Sequence, residues 1–184
     1  GLTQHRNGVA VIQEVVNLLL LGGHVGKKGA GFCPVRGHSN VQGDRTVGIW
    51  EAPTDAFLDR LQEGLGFEVP REHGHDVVNV IDAMGRGEID FFFCMGGNFL
   101  SATPDTDVTA RGLSNIPLTV QVSTKLNRSH LVTGETAIIL PCLGRTEVDV
   151  QGGVKQFVTV ENSMGVVHRS QGGLQPASPS LRSE

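Results

Sequence analysis

The amino-acid sequence predicts an α/β domain of three layers, in which helices cover both faces of a mainly parallel β-sheet. Apolar runs of strand length occur at residues 89–95, 116–122 and 136–140. Segments with helical apolar spacing lie before and between these runs, and glycines mark many of the boundaries. Continuous rather than alternating apolar strands are typical of parallel sheets that are buried on both faces.

Three helices are predicted before the first strand. Apolar residues recur at helical spacing from Val9 to Leu20, and Gly22 and Gly23 follow as a stop. A second apolar stripe occupies residues 57–65. A third runs through residues 77–84, with Asp76 as its N-cap and Gly85 after it. Residues 24–50 show no period and are predicted to form a long irregular segment, which in a compact domain usually has a function.

The second half of the chain carries the sheet. A strand at residues 89–95 runs into a Gly-Gly-Asn turn, and Thr103 and Pro104 are predicted as the N-cap and first residue of the next helix. Strands at 116–122 and 136–140 follow. After Pro141, short strands at 156–160 and 166–169 indicate either a hairpin-like appendage or a connector to a neighbouring domain.

Composition and charge exclude several classes of protein. The formal net charge is −4, and the only notable basic pair is Lys27 and Lys28, so no nucleic-acid surface is predicted. The longest apolar run, at residues 15–21, is too short to span a bilayer, and no signal peptide is recognisable. Three separated cysteines without a C-x-x-C pair indicate neither a disulfide framework nor a closed metal site. A cytoplasmic setting is the simplest prediction.

Polar residues follow two of the predicted strands, where the carboxyl ends of parallel strands meet at one edge of the sheet. Ligands bind at such edges, because small residues let backbone amides face them. Either segment alone could be an ordinary turn or a solvated loop, but on a common edge they predict recognition of a sugar and a pyrophosphate. The candidate residues are Gly96, Gly97, Asn98, Ser123, Thr124, Lys125 and Asn127.

A third polar segment, residues 31–44, places arginine, histidine, asparagine and glutamine side chains between glycines. It could be a glycine-rich connector with its arginine in solvent. However, so many polar side chains suit the lining of a site better than a core. The candidate residues are Arg36, Gly37, His38, Asn40 and Gln42.

The run G-x-x-P-V-R-G-x-x-N-V-Q-G at residues 31–43 resembles the corresponding loop of the formate-dehydrogenase-like molybdopterin oxidoreductases. Pieces at residues 22–27, 95–97, 120–121 and 138–141 follow in the order of that family, so the resemblance covers essentially the whole chain. It implies a three-layer, Rossmann-like domain of the dimethyl-sulfoxide-reductase superfamily that contacts part of a bis(molybdopterin guanine dinucleotide) cofactor with molybdenum.

The resemblance also implies roles for particular residues. Arg36 matches the arginine that lines the active site and pairs with an anionic substrate such as formate, while His38 stands where those enzymes commonly carry glutamine. Val122 stands where many relatives have an acidic residue for the guanosine, so the nearby hydroxyls and Asn127 would hold the dinucleotide instead. Cys33 is predicted to be a partly buried thiol rather than a metal ligand.

The resemblance finally implies that the chain is one domain of a larger enzyme, with residues 1–175 as the domain and 176–184 as a connector or tail. The molybdenum ligand and any 4Fe–4S cluster would then belong to segments outside this chain. Its partners would be the other domains of the parent enzyme and a small anionic substrate, and the chain alone would be inactive. The alternative is a non-catalytic α/β nucleotide-binding or interaction module.

Overall fold

The protein is described by a computed structural model that covers all 184 residues except 1, 4, 36–39 and 163. The chain divides into two compact units, residues 1–39 and residues 40–184. No helix among the described residues is long and apolar enough to cross a membrane.

The first unit contains one long helix, α1, at Gly8–Leu21. It ends where the amides of Gly22, Gly23 and His24 donate to carbonyls of the last turn, and Gly23 takes a positive φ of 65°. The predicted helix and its glycine stop are thus confirmed. Most of its apolar side chains are exposed, with Val9 at 75% and Leu21 at 88%.

The second unit is built on a three-stranded parallel sheet. Its strands are β1 (Phe91–Met95), β2 (Leu118–Ser123) and β3 (Thr136–Pro141), in the order β1-β2-β3. The pairing aligns Phe93 with Val120 and Val120 with Ile138. All three strands lie within a few residues of their predicted positions, and the predicted α/β fold with a parallel sheet is confirmed.

Helices cover one face of this sheet. They are α4 (Val77–Gly85), α5 (Phe99–Ala102) and α6 (Thr106–Ser114). Phe92 packs from the sheet against the core cluster of Met84, Leu100, Leu113 and Ile116, each at most 3% exposed. We call this the closed face. Asp76 caps α4 as predicted, accepting from the amides of Val78 and Asn79.

We call the opposite face of the sheet the open face. Registered neighbours in a sheet project to the same side, so this face combines alternate residues of the three strands. On the two outer strands these side chains keep 44–56% of their surface exposed. They are Phe91, Phe93, Met95, Ile138 and Leu140.

Two helix boundaries differ from expectation. The N-cap of α6 is Asp105 rather than Thr103, since the Asp105 carboxylate accepts from the amide of Val108. The Thr103 hydroxyl instead lies in the interior, 2.7 Å from that of Thr109. In addition, the segment 24–50 is not wholly irregular, because it contains a short helix, α2, at Val41–Thr46. The second predicted helix is confirmed as α3, at Asp55–Leu65.

The end of the chain forms two small antiparallel hairpins, which correspond to the predicted hairpin-like appendage. One pairs β4 (Val150–Gln151) with β5 (Val154–Lys155), and the other pairs β6 (Val158–Glu161) with β7 (Val167–Ser170). Residues beyond the hairpins return to the segment after β3, where the amide of Leu143 donates to the carbonyl of Arg182. The domain boundary at residue 175 stays a prediction.

Candidate functional site

The loop after β1 has a backbone that only glycine adopts easily. Gly96 and Gly97 both have positive φ, at 69° and 73°. The amide of Gly96 donates to the carbonyl of Val122, which extends the pairing of β1 with β2 by one residue. A Cβ at either glycine would meet nothing within 4 Å, so the space beside this loop is open. Within the described chain, the amides of Gly97 and Asn98 have no acceptor.

The segment after β2 is fixed by a cap of its own. Asn127 precedes a short 3-10 helix at Arg128–Leu131, and its side-chain oxygen accepts from the amide of Ser129 at 2.9 Å. In return, Nδ1 of His130 accepts from the amide of Asn127 at 3.0 Å. This reciprocal capping box holds the turn rigidly beside the sheet edge.

Side chains of this second segment hold the first loop in place. Asn127 donates from Nδ2 to the carbonyl of Gly97 at 2.7 Å, and the Ser129 hydroxyl donates to Oδ1 of Asn98 at 2.9 Å. The same hydroxyl accepts from the amide of Leu100 at 2.9 Å. The structure therefore brings together three of the candidate residues, Gly97, Asn98 and Asn127. We call these cross-loop hydrogen bonds the latch.

Sequence reasoning missed the residues that support the latch from below. Ser129 is only 3% exposed, and Gln121, 6% exposed, donates from Nε2 to its carbonyl at 3.1 Å. Nε2 of His130 is buried and has no hydrogen-bond partner among the described residues. The spacing of asparagine, serine and histidine at 127–130 was the signal that could have identified this capping box.

The outer part of this edge offers groups suited to an anion. Thr124 and Lys125 are exposed at this edge, whereas Ser123, at the end of β2, is buried. With the unpaired amides of Gly97 and Asn98, the side chains of Thr124 and Lys125 form a set of hydroxyl, ammonium and N–H donors beside open space. This donor set fits the phosphates and sugar of a dinucleotide.

The remaining candidates lie elsewhere or outside the described residues. Asn40 accepts, through Oδ1, from the amide of Glu161 at 3.0 Å, and the hydroxyl of Thr46 donates to the Glu161 carboxylate at 2.7 Å. Asn40 thus attaches α2, which contains Gln42, to β6. Arg36, Gly37 and His38 lie outside the described residues, so their positions stay predictions.

The cysteines differ sharply in environment. Cys33 is exposed, not partly buried as predicted, and lies beside an open cavity of about 440 Å³ in the first unit, also lined by Leu19 and His24. Burial raises the pKa of the Cys94 thiol, which contacts the carbonyl of Gly96 at 3.3 Å. Burial also raises the pKa of Cys142, and the nearby carboxylate of Glu184 adds to this effect.

The chain is similar in sequence to several known proteins. No family model matches the chain. All 184 residues align at 60% identity with an uncharacterized oxidoreductase of Mycobacterium tuberculosis, and at 52% identity with protein YdeP of Escherichia coli. A formate dehydrogenase subunit alpha from Methanocaldococcus jannaschii is 29% identical over 129 residues, which are 65% of this chain and 19% of that subunit. The chain spans 24% of the length of the first two relatives.

Proposed function

We propose that this chain is one domain of a molybdenum-dependent oxidoreductase and binds part of a bis(molybdopterin guanine dinucleotide) cofactor. The domain comprises residues 1–175, and residues 176–184 connect it to the rest of the enzyme. Relatives named as oxidoreductases, one of them a formate dehydrogenase subunit, support this assignment. So does their greater length, because it leaves room for the other walls of a site.

The single observation that carries the proposal is the latch. The bond from Asn127 to Gly97 holds the loops after β1 and β2 against each other at the sheet edge where ligands of parallel α/β folds bind. The amides of Gly97 and Asn98 face a phosphate there, while Thr124 and Lys125 supply a hydroxyl and a positive charge. Asn127 uses its side chain for the latch, so it positions this loop rather than contacting the phosphate directly.

When bound, the cofactor supplies the two-electron redox chemistry at molybdenum, and the protein supplies position and electrostatics. Arg36 orients the anionic substrate, since a guanidinium is permanently charged and grips a carboxylate with two hydrogen bonds. His38 is proposed to act on the same substrate, and Gly37, Asn40 and Gln42 to contribute to holding the cofactor. The molybdenum ligand and any iron–sulfur cluster belong to other segments of the longer, cytoplasmic enzyme.

The cofactor proposal is tested by composition analysis of the full-length protein. Metal analysis is expected to find molybdenum, and acid release is expected to yield guanine nucleotide in proportion to it. Lys125→Ala removes a charge from the proposed phosphate site and is expected to lower nucleotide retention about tenfold, the loss of one charge-assisted hydrogen bond. Lys155→Ala is the matched control, because Lys155 is also exposed but lies on the β4–β5 hairpin.

The results separate the proposal from the alternative of a non-catalytic module. Full-length protein that contains neither molybdenum nor guanine nucleotide after growth on molybdate would overturn the cofactor assignment. A protein that binds a different nucleotide at the same lysine-dependent site would support the non-catalytic module instead.

The role of Arg36 is tested separately, with formate as the probe. Arg36→Lys keeps the charge but loses the two-pronged geometry, so we expect kcat/KM to fall roughly tenfold or more while molybdenum content stays unchanged. The 184-residue chain by itself is expected to show no turnover. Wild-type kinetics in the Arg36→Lys enzyme, or formate oxidation by the chain alone, would contradict this role.

A further inference from the structure

The polar turn at residues 40–46 is joined to the hairpin near the end of the chain by two hydrogen bonds. Oδ1 of Asn40 accepts from the amide of Glu161 at 3.0 Å, across 121 residues of sequence. The Glu161 carboxylate accepts from the hydroxyl of Thr46 at 2.7 Å. Since Asn40 precedes α2 and Thr46 is its last residue, Glu161 holds both ends of this helix. We call this arrangement the anchor.

Gly43, within α2, shows how closely the anchor fixes the Asn40 side chain. A Cβ at position 43 would overlap the Asn40 amide group, with Cγ and Nδ2 both at 2.7 Å. The backbone of Gly43 is helical, so other residues could adopt it. Glycine is therefore required here by the position of a neighbouring amide and not by backbone conformation. Gly64, inside α3, is the contrast, because a Cβ there would meet nothing within 4 Å.

The Asn40 side chain is placed by the anchor and not by the helix that it precedes. It makes no capping hydrogen bond to α2, although asparagine is a good N-cap. Because Oδ1 accepts from an N–H donor, the amide is oriented with Nδ2 away from the amide of Glu161. Nδ2 has no acceptor among the described residues, and Asn40 is only partly buried. The anchor therefore leaves one fixed N–H donor group, which suits a phosphate oxygen.

We propose that Glu161 is a positioning residue, which holds Asn40 so that Nδ2 donates to a phosphate oxygen of the bound cofactor. This inference rests on the proposed function, in which Asn40 contributes to holding that cofactor. It gives a role to the β6–β7 hairpin, which the sequence indicates only as an appendage or a connector. A carboxylate repels a phosphate, so Glu161 acts through Asn40 and not by direct contact with the cofactor.

A double-mutant cycle in the 184-residue chain tests the placement of the Asn40 amide. Gly43→Ala should lower the urea concentration at the midpoint of unfolding, because the new Cβ displaces the amide from Glu161. In an Asn40→Ala background the same substitution should be neutral or slightly stabilising, since alanine has the higher helix propensity. Gly64→Ala is the matched control and should destabilise neither background.

The functional test uses the full-length protein. It measures how fast the cofactor, quantified as guanine nucleotide released by acid, is lost during dialysis. Asn40→Ala should speed this loss about tenfold, the effect of removing one hydrogen bond to a charged oxygen. Glu161→Ala should speed it at least about threefold, and Glu161→Gln should restore slow loss, because glutamine keeps an oxygen that accepts from Thr46. Thr159→Ala, at an exposed position on the same strand, is the matched control.

Combining the two substitutions separates a positioning role from a general loss of stability. If Glu161 acts through Asn40, the variant that carries both Asn40→Ala and Glu161→Ala should lose the cofactor no faster than Asn40→Ala alone. Effects that multiply would assign Glu161 an independent or purely structural role and would overturn the inference. Equal losses from Glu161→Gln and Glu161→Ala would also overturn it, because the negative charge would then be what matters.

The remaining outcomes distinguish this inference from the cofactor proposal. Gly43→Ala that destabilises both backgrounds equally would contradict the placement of the Asn40 amide. Wild-type full-length protein without guanine nucleotide would overturn the cofactor proposal, and with it the ligand assigned to Nδ2. Nucleotide that is present in the wild type and retained equally by every variant would overturn this inference alone and leave the cofactor proposal standing.

Discussion

On β1 the closed face and the open face have opposite environments, whereas β2 is mostly buried on both faces and β3 is exposed on both. Phe92 packs among buried side chains under α4 and α6, whereas its neighbours Phe91 and Phe93 are about half exposed. Residue type does not distinguish them, because all three are phenylalanine. The difference is set by what covers each side. The closed face is therefore expected to contribute most of the stability of this chain alone.

The largest loss of stability is expected from a substitution on the closed face. Met84→Ala removes a fully buried side chain and should lower the free energy of unfolding by about 2–5 kcal/mol. Phe91→Ala on the open face, measured in the same 184-residue chain, should cost much less, because its side chain already contacts water. Urea denaturation followed by circular dichroism compares the two. Similar losses would mean that the two faces are not different in the way described.

The second-largest loss of stability is expected from a substitution in the latch. Ser129→Ala leaves the amide of Leu100 without its buried acceptor and Asn98 without its donor, which should cost about 1–3 kcal/mol of unfolding free energy. Ser101→Ala is the matched control, since Ser101 is exposed in α5. Thermal unfolding of both variants measures the difference. If Ser129→Ala and Ser101→Ala destabilise the protein equally, the hydroxyl of Ser129 is not what joins the two loops.

A smaller effect is expected in the rates at which Cys33 and Cys94 react with a thiol reagent. Cys94 projects toward the closed face, and burial raises its pKa, so less of the reactive thiolate is present at neutral pH. Exposed Cys33 should react with a disulfide reagent before Cys94 does. The difference between their labelling rates should become smaller as the pH rises toward the pKa of Cys94. Cys33→Ser is expected to remove the fast phase alone. A fast phase that survives this substitution would place the reactive thiol elsewhere.

The smallest change in stability is expected at Glu88, which lies on neither face of the sheet. A hydrogen bond from Arg86 lowers the pKa of Glu88. A lowered pKa in the folded state means that the carboxylate stabilises the fold at neutral pH, and that this contribution is lost as the pH falls through the folded-state pKa. Glu88→Gln should therefore be slightly less stable than wild type at neutral pH and equal to it in acid. Both residues are exposed, so high salt should also remove the difference.

Local signals in the sequence predicted much of this fold. The cap at Asp76 and the stop after α1 depend on residues that are adjacent in sequence, and both form as predicted. The start of α6 was misplaced because Thr103 and Asp105 are both good N-caps. Only the interior contact of the Thr103 hydroxyl with Thr109 decides between them.

Features that depend on distant contacts could not be predicted. Helix α2 has no apolar period, and the bond that attaches it to β6 joins residues 115 apart in sequence. Ser129 was missed for the same reason, because its partner Asn98 lies 31 residues away. The apolar run of β1 likewise indicated a buried strand, but it carries no information about which of its faces is exposed.

The conformation at Gly96 and Gly97 has a consequence for any molecule that binds beside them. Both glycines already have the backbone angles of a tight turn, and Asn127 holds that turn closed without help from a ligand. The entropy of ordering this loop is lost when the chain folds, not when the ligand arrives. Association at this edge should therefore be fast and need little rearrangement, and replacing Asn127 should weaken it by restoring freedom to the unbound loop.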